Sequence, residues 1–214
     1  MSMDAAKRPM KVILTHGLRV NRHVMGFLAV YLRRHGYACD TWGYASYRRD
    51  LAANERALAG RLSAESSSEI AIVAHSYGGV IALSHLQRSP DPRVRRVVML
   101  GVPLAGSSAG AQVMRHAFGR WFAGASAPLW SDWRDLSIPA GLEVGSVAGT
   151  HRVGLGRFFA RLSGDNDGVI AVDETRLPGL ADHLVMGVSH SAMLVSLRVA
   201  RQVEYFLRHG AFDR

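Results

Sequence analysis

Ile70-Ala71-Ile72-Val73-Ala74-His75-Ser76-Tyr77-Gly78 is the stretch whose reading decides the fold. The apolar run Ile70–Val73 predicts a buried strand. Small residues two positions either side of Ser76 then let a strand and a helix pass closely, with the serine on the sharp turn between them. The general pattern is Gly-x-Ser-x-Gly, and Ala74 stands in its first position. A lone serine hydroxyl is a poor nucleophile at neutral pH, so chemistry here needs a neighbouring base and donors for an oxyanion. Five residues are equally consistent with an ordinary strand–helix turn, so the reading depends on what accompanies them.

Outward from this turn the chain alternates short apolar strands with helices. Lys11–His16 predicts a first strand ending at Gly17, and Asn21 is placed to cap the helix carrying Val24, Phe27, Leu28, Tyr31 and Leu32. Gly36 stops that helix, Tyr37–Tyr44 is a second strand, and Asp50–Leu62 a second helix. A serine-rich stretch, Ser63–Ser68, leads into the third strand, Glu69–His75. The helix Tyr77–Arg88 is ended by Ser89-Pro90-Asp91-Pro92, and Arg95–Leu100 is a fourth strand. Residues 104–140 break the rhythm with small residues and three of the four tryptophans, Trp121, Trp130 and Trp133. Glu143–Ala148 and Leu184–Val188 resume as strands five and six, and Ser191–His209 is a long amphipathic helix. This alternation predicts a mostly parallel sheet of about six strands with helices on both faces. The whole of residues 1–214 reads as one α/β domain, with 104–140 as an insertion in it.

Composition narrows the class. Hydrophobic content of 48% and charged content of 20% are those of an ordinary globular protein. Cys39 is the single cysteine, which excludes an intrachain disulfide. Residues 1–10 hold no apolar stretch of signal-peptide length and no window suits a membrane span, so a cytoplasmic protein is expected, and as a monomer. The net charge of +9 comes from arginines scattered along helices, without the interleaved aromatics of a stacking platform. No nucleic-acid partner is expected; weak attraction to anionic lipid surfaces is compatible with this charge.

In an open parallel sheet, ligands bind at the carboxyl ends of the strands, so chemistry should sit just after them. Thr15-His16-Gly17-Leu18 follows the first strand. A His-Gly turn there shapes an oxyanion loop, with one donor assigned to the Leu18 N–H and the other to the Tyr77 N–H. His16 is expected to brace this loop. After the fifth strand, Gly164-Asp165-Asn166-Asp167-Gly168-Val169 supplies a carboxylate to orient an imidazole. Asp167 is the better candidate, with Asp165 as rival or loop cap. His190, after the sixth strand, is the expected general base. His183 should precede that strand at the opposite sheet edge from Ser76, and His75 should be structural. The chain order is then Ser76…Asp167…His190.

With these motifs together the chain resembles the α/β-hydrolase superfamily, and within it small bacterial lipase- and esterase-like proteins. The resemblance rests on His16-Gly17, the turn around Ser76, Leu100-Gly101-Val102-Pro103-Leu104-Ala105-Gly106-Ser107, Asn166-Asp167-Gly168-Val169-Ile170 and Ser189-His190-Ser191. The segment after the fourth strand is similar to the Gly-Thr-Pro-x-x-Gly-Ser signature of lipases, with Val102 in place of threonine. The resemblance implies a reduced α/β-hydrolase fold and hydrolysis of small-molecule or lipid esters through an acyl-serine, with neither metal nor organic cofactor. It also implies that residues 104–140 form a lid or acyl-binding wall, with Trp121, Phe122, Leu129, Trp130 and Trp133 lining it or closing the core. An acyltransferase or thioesterase uses the same triad, and a non-catalytic hydrolase-fold protein would use the same surface to bind lipid or protein; the sequence leaves these readings open.

Overall fold

The computed structural model describes residues 10–131, 133, 135–153, 162 and 164–214. Six strands form one sheet: β1 (Lys11–Thr15), β2 (Ala38–Trp42), β3 (Ile70–His75), β4 (Val94–Leu100), β5 (Glu143–Gly149) and β6 (Asp182–Met186). Their order is β2-β1-β3-β4-β5-β6, and every neighbouring pair is parallel. From β1 the chain first steps outward to β2, then crosses back to β3 and continues in one direction. The loops after β1 and β3 therefore leave the sheet side by side at the point where its order reverses, which is where open α/β sheets bind ligands.

Alternation along the strands divides the core. Val12, Leu14, Ala71, Val73, Val98, Leu100 and Val147 pack on one face with buried residues of α1 (Gly26–Arg34) and α7 (Leu197–His209). Ile13, Ile70, Ile72, Ala74, Val97, Met99 and Val144 face the other way, against α2 (Leu51–Ser63) and α3 (Tyr77–Arg88). Burial on both faces is why β3 reads as an unbroken apolar run.

Helix starts follow local capping chemistry. Asp50 accepts the Ala53 N–H at 2.8 Å and opens α2. Asn21 caps a 3-10 turn, Arg22–Met25, and α1 begins only at Gly26. The final helix also starts later than the sequence predicts. A 3-10 turn at Ala192–Leu194 intervenes, and α7 opens at Leu197 with Ser196 accepting the Val199 N–H. Gly210, in the left-handed region at φ 76°, ends it. Strand β6 spans Asp182–Met186 instead of Leu184–Val188, because the polar Asp182 and His183 pair with Gly145 and Ser146 of β5.

The 104–140 segment contains three short helices, α4 (Ser108–Met114), α5 (Ala117–Ala123) and α6 (Ala127–Ser131). Its two halves differ. Leu129 and Leu136 are buried, and Trp130 and Trp133 pack against the α2–α3 face of the core. Phe118, Trp121 and Phe122 of α5 are 51%, 64% and 41% exposed. No helix among the described residues is long and apolar enough to cross a membrane.

Candidate active site

Ser76 stands at the turn between β3 and α3 with φ 52° and ψ −128°, a conformation that costs a non-glycine residue about 1–2 kcal/mol. Its N–H donates to the Leu100 carbonyl at 3.0 Å, fixing the turn to β4. A serine preceding a helix ordinarily caps it. Here the strained backbone turns the hydroxyl away and no capping bond forms. Of residues 70–84, Ser76 alone is not buried. The start of α3 and the end of β1 approach so closely that a Cβ on Gly78 would lie 2.4 Å from the His16 carbonyl oxygen. This is the packing reason for a glycine two positions after the serine.

Asp167 and His190 meet at the carboxyl edge of the sheet. His190 Nδ1 lies 2.7 Å from Asp167 Oδ2. A carboxylate only accepts, so Nδ1–H is the donor, and in the neutral tautomer this selects, Nε2 carries the lone pair. The other carboxylate oxygen accepts the N–H groups of Val169 at 2.9 Å and Ile170 at 2.7 Å. A main-chain bond from the His190 N–H to the Asp167 carbonyl, 3.0 Å, joins the two loops again. Both side chains are buried, at 1% and 7% exposure. Gly101, at φ +56°, passes directly beneath them: a Cβ there would sit 2.9 Å from His190 Nδ1 and 3.0 Å from Asp167 Oδ2. Asp165 is exposed and not part of this pair.

The loop after β1 supplies backbone donors. The Leu18 N–H takes no backbone acceptor among the described residues, and the Tyr77 N–H is the first of α3 and has none within the helix. His16 Nδ1 lies 2.8 Å from the Gly17 carbonyl, and its ring stacks on Tyr44 at 4.4 Å. The Tyr44 hydroxyl donates back to the His16 carbonyl at 2.8 Å. Burial lowers the pKa of His16, so its ring holds the loop without adding charge. Burial likewise pushes the Tyr77 phenol up to about 12, and that ring packs 5.7 Å from Trp130 as an uncharged wall.

Two of the histidine placements need comment. His183 does not precede β6 at the far edge of the sheet. It lies within β6, opposite Ser146 and so level with Ala74 through Met99, three strands from the serine. Its Nε2 is 2.8 Å from Thr175 Oγ1. His75 is buried and contacts His190 directly: its Nε2 lies 3.1 Å from the His190 carbonyl, and the ring centroids are 4.5 Å apart. Burial, with His190 alongside, holds the His75 pKa well below the ordinary histidine value of 6.5. The uncharged ring ties the end of β3 to the turn that carries His190.

Glu174 escaped the sequence reading. Its carboxylate accepts the Ser108 N–H at 2.5 Å and the Ala171 N–H at 2.9 Å, and its carbonyl accepts the Ala105 N–H at 3.0 Å. The loop after β4 and the loop bearing Asp167 are thus tied together. No cluster of three or more His, Cys, Asp or Glu side chains suited to a metal ion occurs among the described residues. A cavity of about 230 Å³ lined by Leu86, Pro90, Pro92 and Pro139 lies at the amino-terminal ends of β4 and β5, away from Ser76.

Comparison with known proteins agrees with this architecture. A family model described as alpha/beta hydrolase matches residues 40–130, which include Ser76 but neither Asp167 nor His190. No curated protein matches the chain significantly. Among solved structures, a Bacillus licheniformis lipase in propeptide form superposes with a TM-score of 0.72 at 18% identity, covering 99% of this chain and 52% of the lipase. The chain thus spans about half the length of that neighbour. A metagenomic carboxyl esterase gives a TM-score of 0.65 at 18% identity, over 96% of this chain and 76% of the esterase. An extracellular alpha/beta-hydrolase from a Paenibacillus species gives 0.61 at 14% identity, over 96% and 100%. The chain has the parallel-sheet α/β-hydrolase fold of these neighbours, and residues 40–130 match the alpha/beta hydrolase family model.

Proposed function

We propose that the protein is a serine hydrolase that cleaves carboxylic esters, with Ser76, His190 and Asp167 as its triad and the Leu18 and Tyr77 N–H groups as its oxyanion hole. The observation that carries this reading is the buried His190–Asp167 hydrogen bond of 2.7 Å, with His190 packed on His75, the residue before the uncapped, strained Ser76. In this mechanism Ser76 Oγ attacks the ester carbonyl carbon while His190 Nε2 takes the hydroxyl proton. The tetrahedral oxyanion accepts hydrogen bonds from Leu18 and Tyr77, each worth about 3 kcal/mol of barrier. Collapse breaks the bond to the leaving oxygen, which departs as alcohol with the proton from His190. Water then attacks the acyl-serine by the same route and releases the acid. Asp167 holds the tautomer in which Nδ1 is the donor, and stabilises the imidazolium formed twice per cycle.

The lipase and carboxyl esterase among the structural neighbours support an ester as substrate. The aromatic 104–140 segment serves in this reading as the acyl wall, with small-molecule or lipid esters as substrates. Hydrolysis of p-nitrophenyl esters from acetate to palmitate, for wild type and Ser76→Ala in parallel, tests it. Serine-dependent turnover is expected, and the preferred chain length measures the wall. Equal turnover by the Ser76→Ala protein would overturn the assignment.

A further inference from the structure

Arg19 immediately follows the Leu18 amide and, at φ 60°, adopts a backbone conformation that arginine rarely takes. Its N–H donates to Ser46 Oγ at 3.1 Å, which fixes the peptide plane between residues 18 and 19. Its guanidinium reaches a different part of the molecule. Nε donates to the Phe122 carbonyl at 2.8 Å and Nη2 to the Trp121 carbonyl at 2.5 Å. These are carbonyls of the last turn of α5, which has no intrahelical donors left for them. A cation there also complements the helix dipole. The same guanidinium lies over three rings, Tyr47 at 4.2 Å, Trp121 at 4.5 Å and Phe122 at 5.4 Å. Behind it, the Ala125 N–H donates to the Tyr47 carbonyl at 2.8 Å, so the turn after α5 rests on the same loop.

We propose that Arg19 is a positioning residue that clamps α5 to the oxyanion loop, so that one side chain sets both the aim of the Leu18 N–H and the seat of the acyl wall. The inference rests on the ester-hydrolase reading for its kinetic consequence, but the clamp itself is independent of it. Arginine suits the task because its planar fork spans two adjacent carbonyls while stacking on aromatic faces, which a lysine ammonium does not do.

The test compares wild type with Arg19→Gly and Arg19→Lys. Glycine accepts positive φ without strain, so its effect reports the lost side chain and not a distorted backbone. Hydrogen–deuterium exchange over residues 117–123 reads the clamp; kcat and KM on p-nitrophenyl acetate and decanoate read its consequence. In Arg19→Gly the α5 amides should exchange about tenfold faster. Its kcat on acetate should fall about tenfold with KM unchanged, a partial loss of one oxyanion donor. KM on decanoate should rise severalfold. Arg19→Lys should recover less than half of the loss on either readout, and carries the comparison if the glycine protein does not fold. Unchanged α5 exchange in both variants would overturn the clamp. A loosened α5 with unaltered kcat on acetate would overturn the positioning of Leu18. A wild type inactive on every ester, whose α5 protection still depends on Arg19, would uphold the clamp and sink the hydrolase reading instead.

Discussion

Ser76 and Arg19 are the two non-glycine residues with clearly positive φ among the described residues, at 52° and 60°, and they are held by opposite means. Around Ser76 the constraint is packing: β3 and the first two turns of α3, Tyr77–Ser84, are buried, and the turn has no room to relax. Around Arg19 the constraint is a polar and aromatic clamp at the protein surface, built from Ser46, Tyr47 and the end of α5. Strain persists only where its surroundings over-determine it. The turn at Ser76 can then relax only at the cost of the packing around it, whereas the clamp on Arg19 can be released while the sheet stays intact. Under the proposed function, this contrast would set the nucleophile on a fixed turn and the acyl wall on a releasable one.

The largest effect expected on this contrast is at the acid. Asp167→Asn leaves two side-chain positions for hydrogen bonding but no longer enforces the Nδ1–H tautomer of His190. The protein should fold with unchanged circular dichroism, while kcat on p-nitrophenyl butyrate falls by about 10⁴. A loss below tenfold would mean that Asp167 does not orient the base. Next comes the turn between β3 and α3. Gly78→Ala drives a methyl to 2.4 Å from the His16 carbonyl, a backbone atom that cannot swing aside. Denaturant unfolding should show a loss of about 3 kcal/mol, within the range of overpacked cores. An unaltered midpoint would break the claim that packing holds Ser76.

His75 sharpens the contrast from within the core. Its folded pKa lies below the ordinary value of 6.5, so under acid the unfolded chain binds a proton that the folded chain refuses. The stabilisation is complete above pH 6.5 and is lost as pH falls from there toward the folded value. Burial also lowers His16, His85 and His183, and these add in the same direction. Thermal unfolding of wild type should therefore drop between pH 7 and 5, and His75→Gln, which keeps a donor for the His190 carbonyl, should drop less. Parallel curves would contradict it. The smallest effect lies on the clamped side. Trp121→Ala, at 64% exposure, should change stability by less than about 0.5 kcal/mol while raising KM for long acyl esters. A loss of several kcal/mol would show that α5 belongs to the core.

The sequence spelled out the parts whose side chains must be of one kind. Ile70–Val73 is apolar because both faces of β3 are buried, and Asp167 and His190, singled out for their places after strands, meet in one hydrogen bond. Strand β6 began two residues earlier than expected because Asp182 and His183 are polar, and Asp182 accepts the Phe212 N–H at 2.8 Å instead of facing a core. The start of α7 was hidden because Ser196 competes for the Val199 N–H, a local bond that amphipathic spacing does not register. Arg19 and Glu174 were illegible for a further reason: they bond to main-chain atoms, Arg19 across about a hundred residues of sequence. Any residue type supplies such atoms, so the partner leaves no mark in the sequence.

The most direct test of the central claim is labelling of the folded protein with a fluorophosphonate, located by mass spectrometry. The account predicts one adduct, on Ser76 Oγ, absent from Ser76→Ala and much slowed in His190→Ala. No adduct on the folded wild type, or one on another serine, would contradict it.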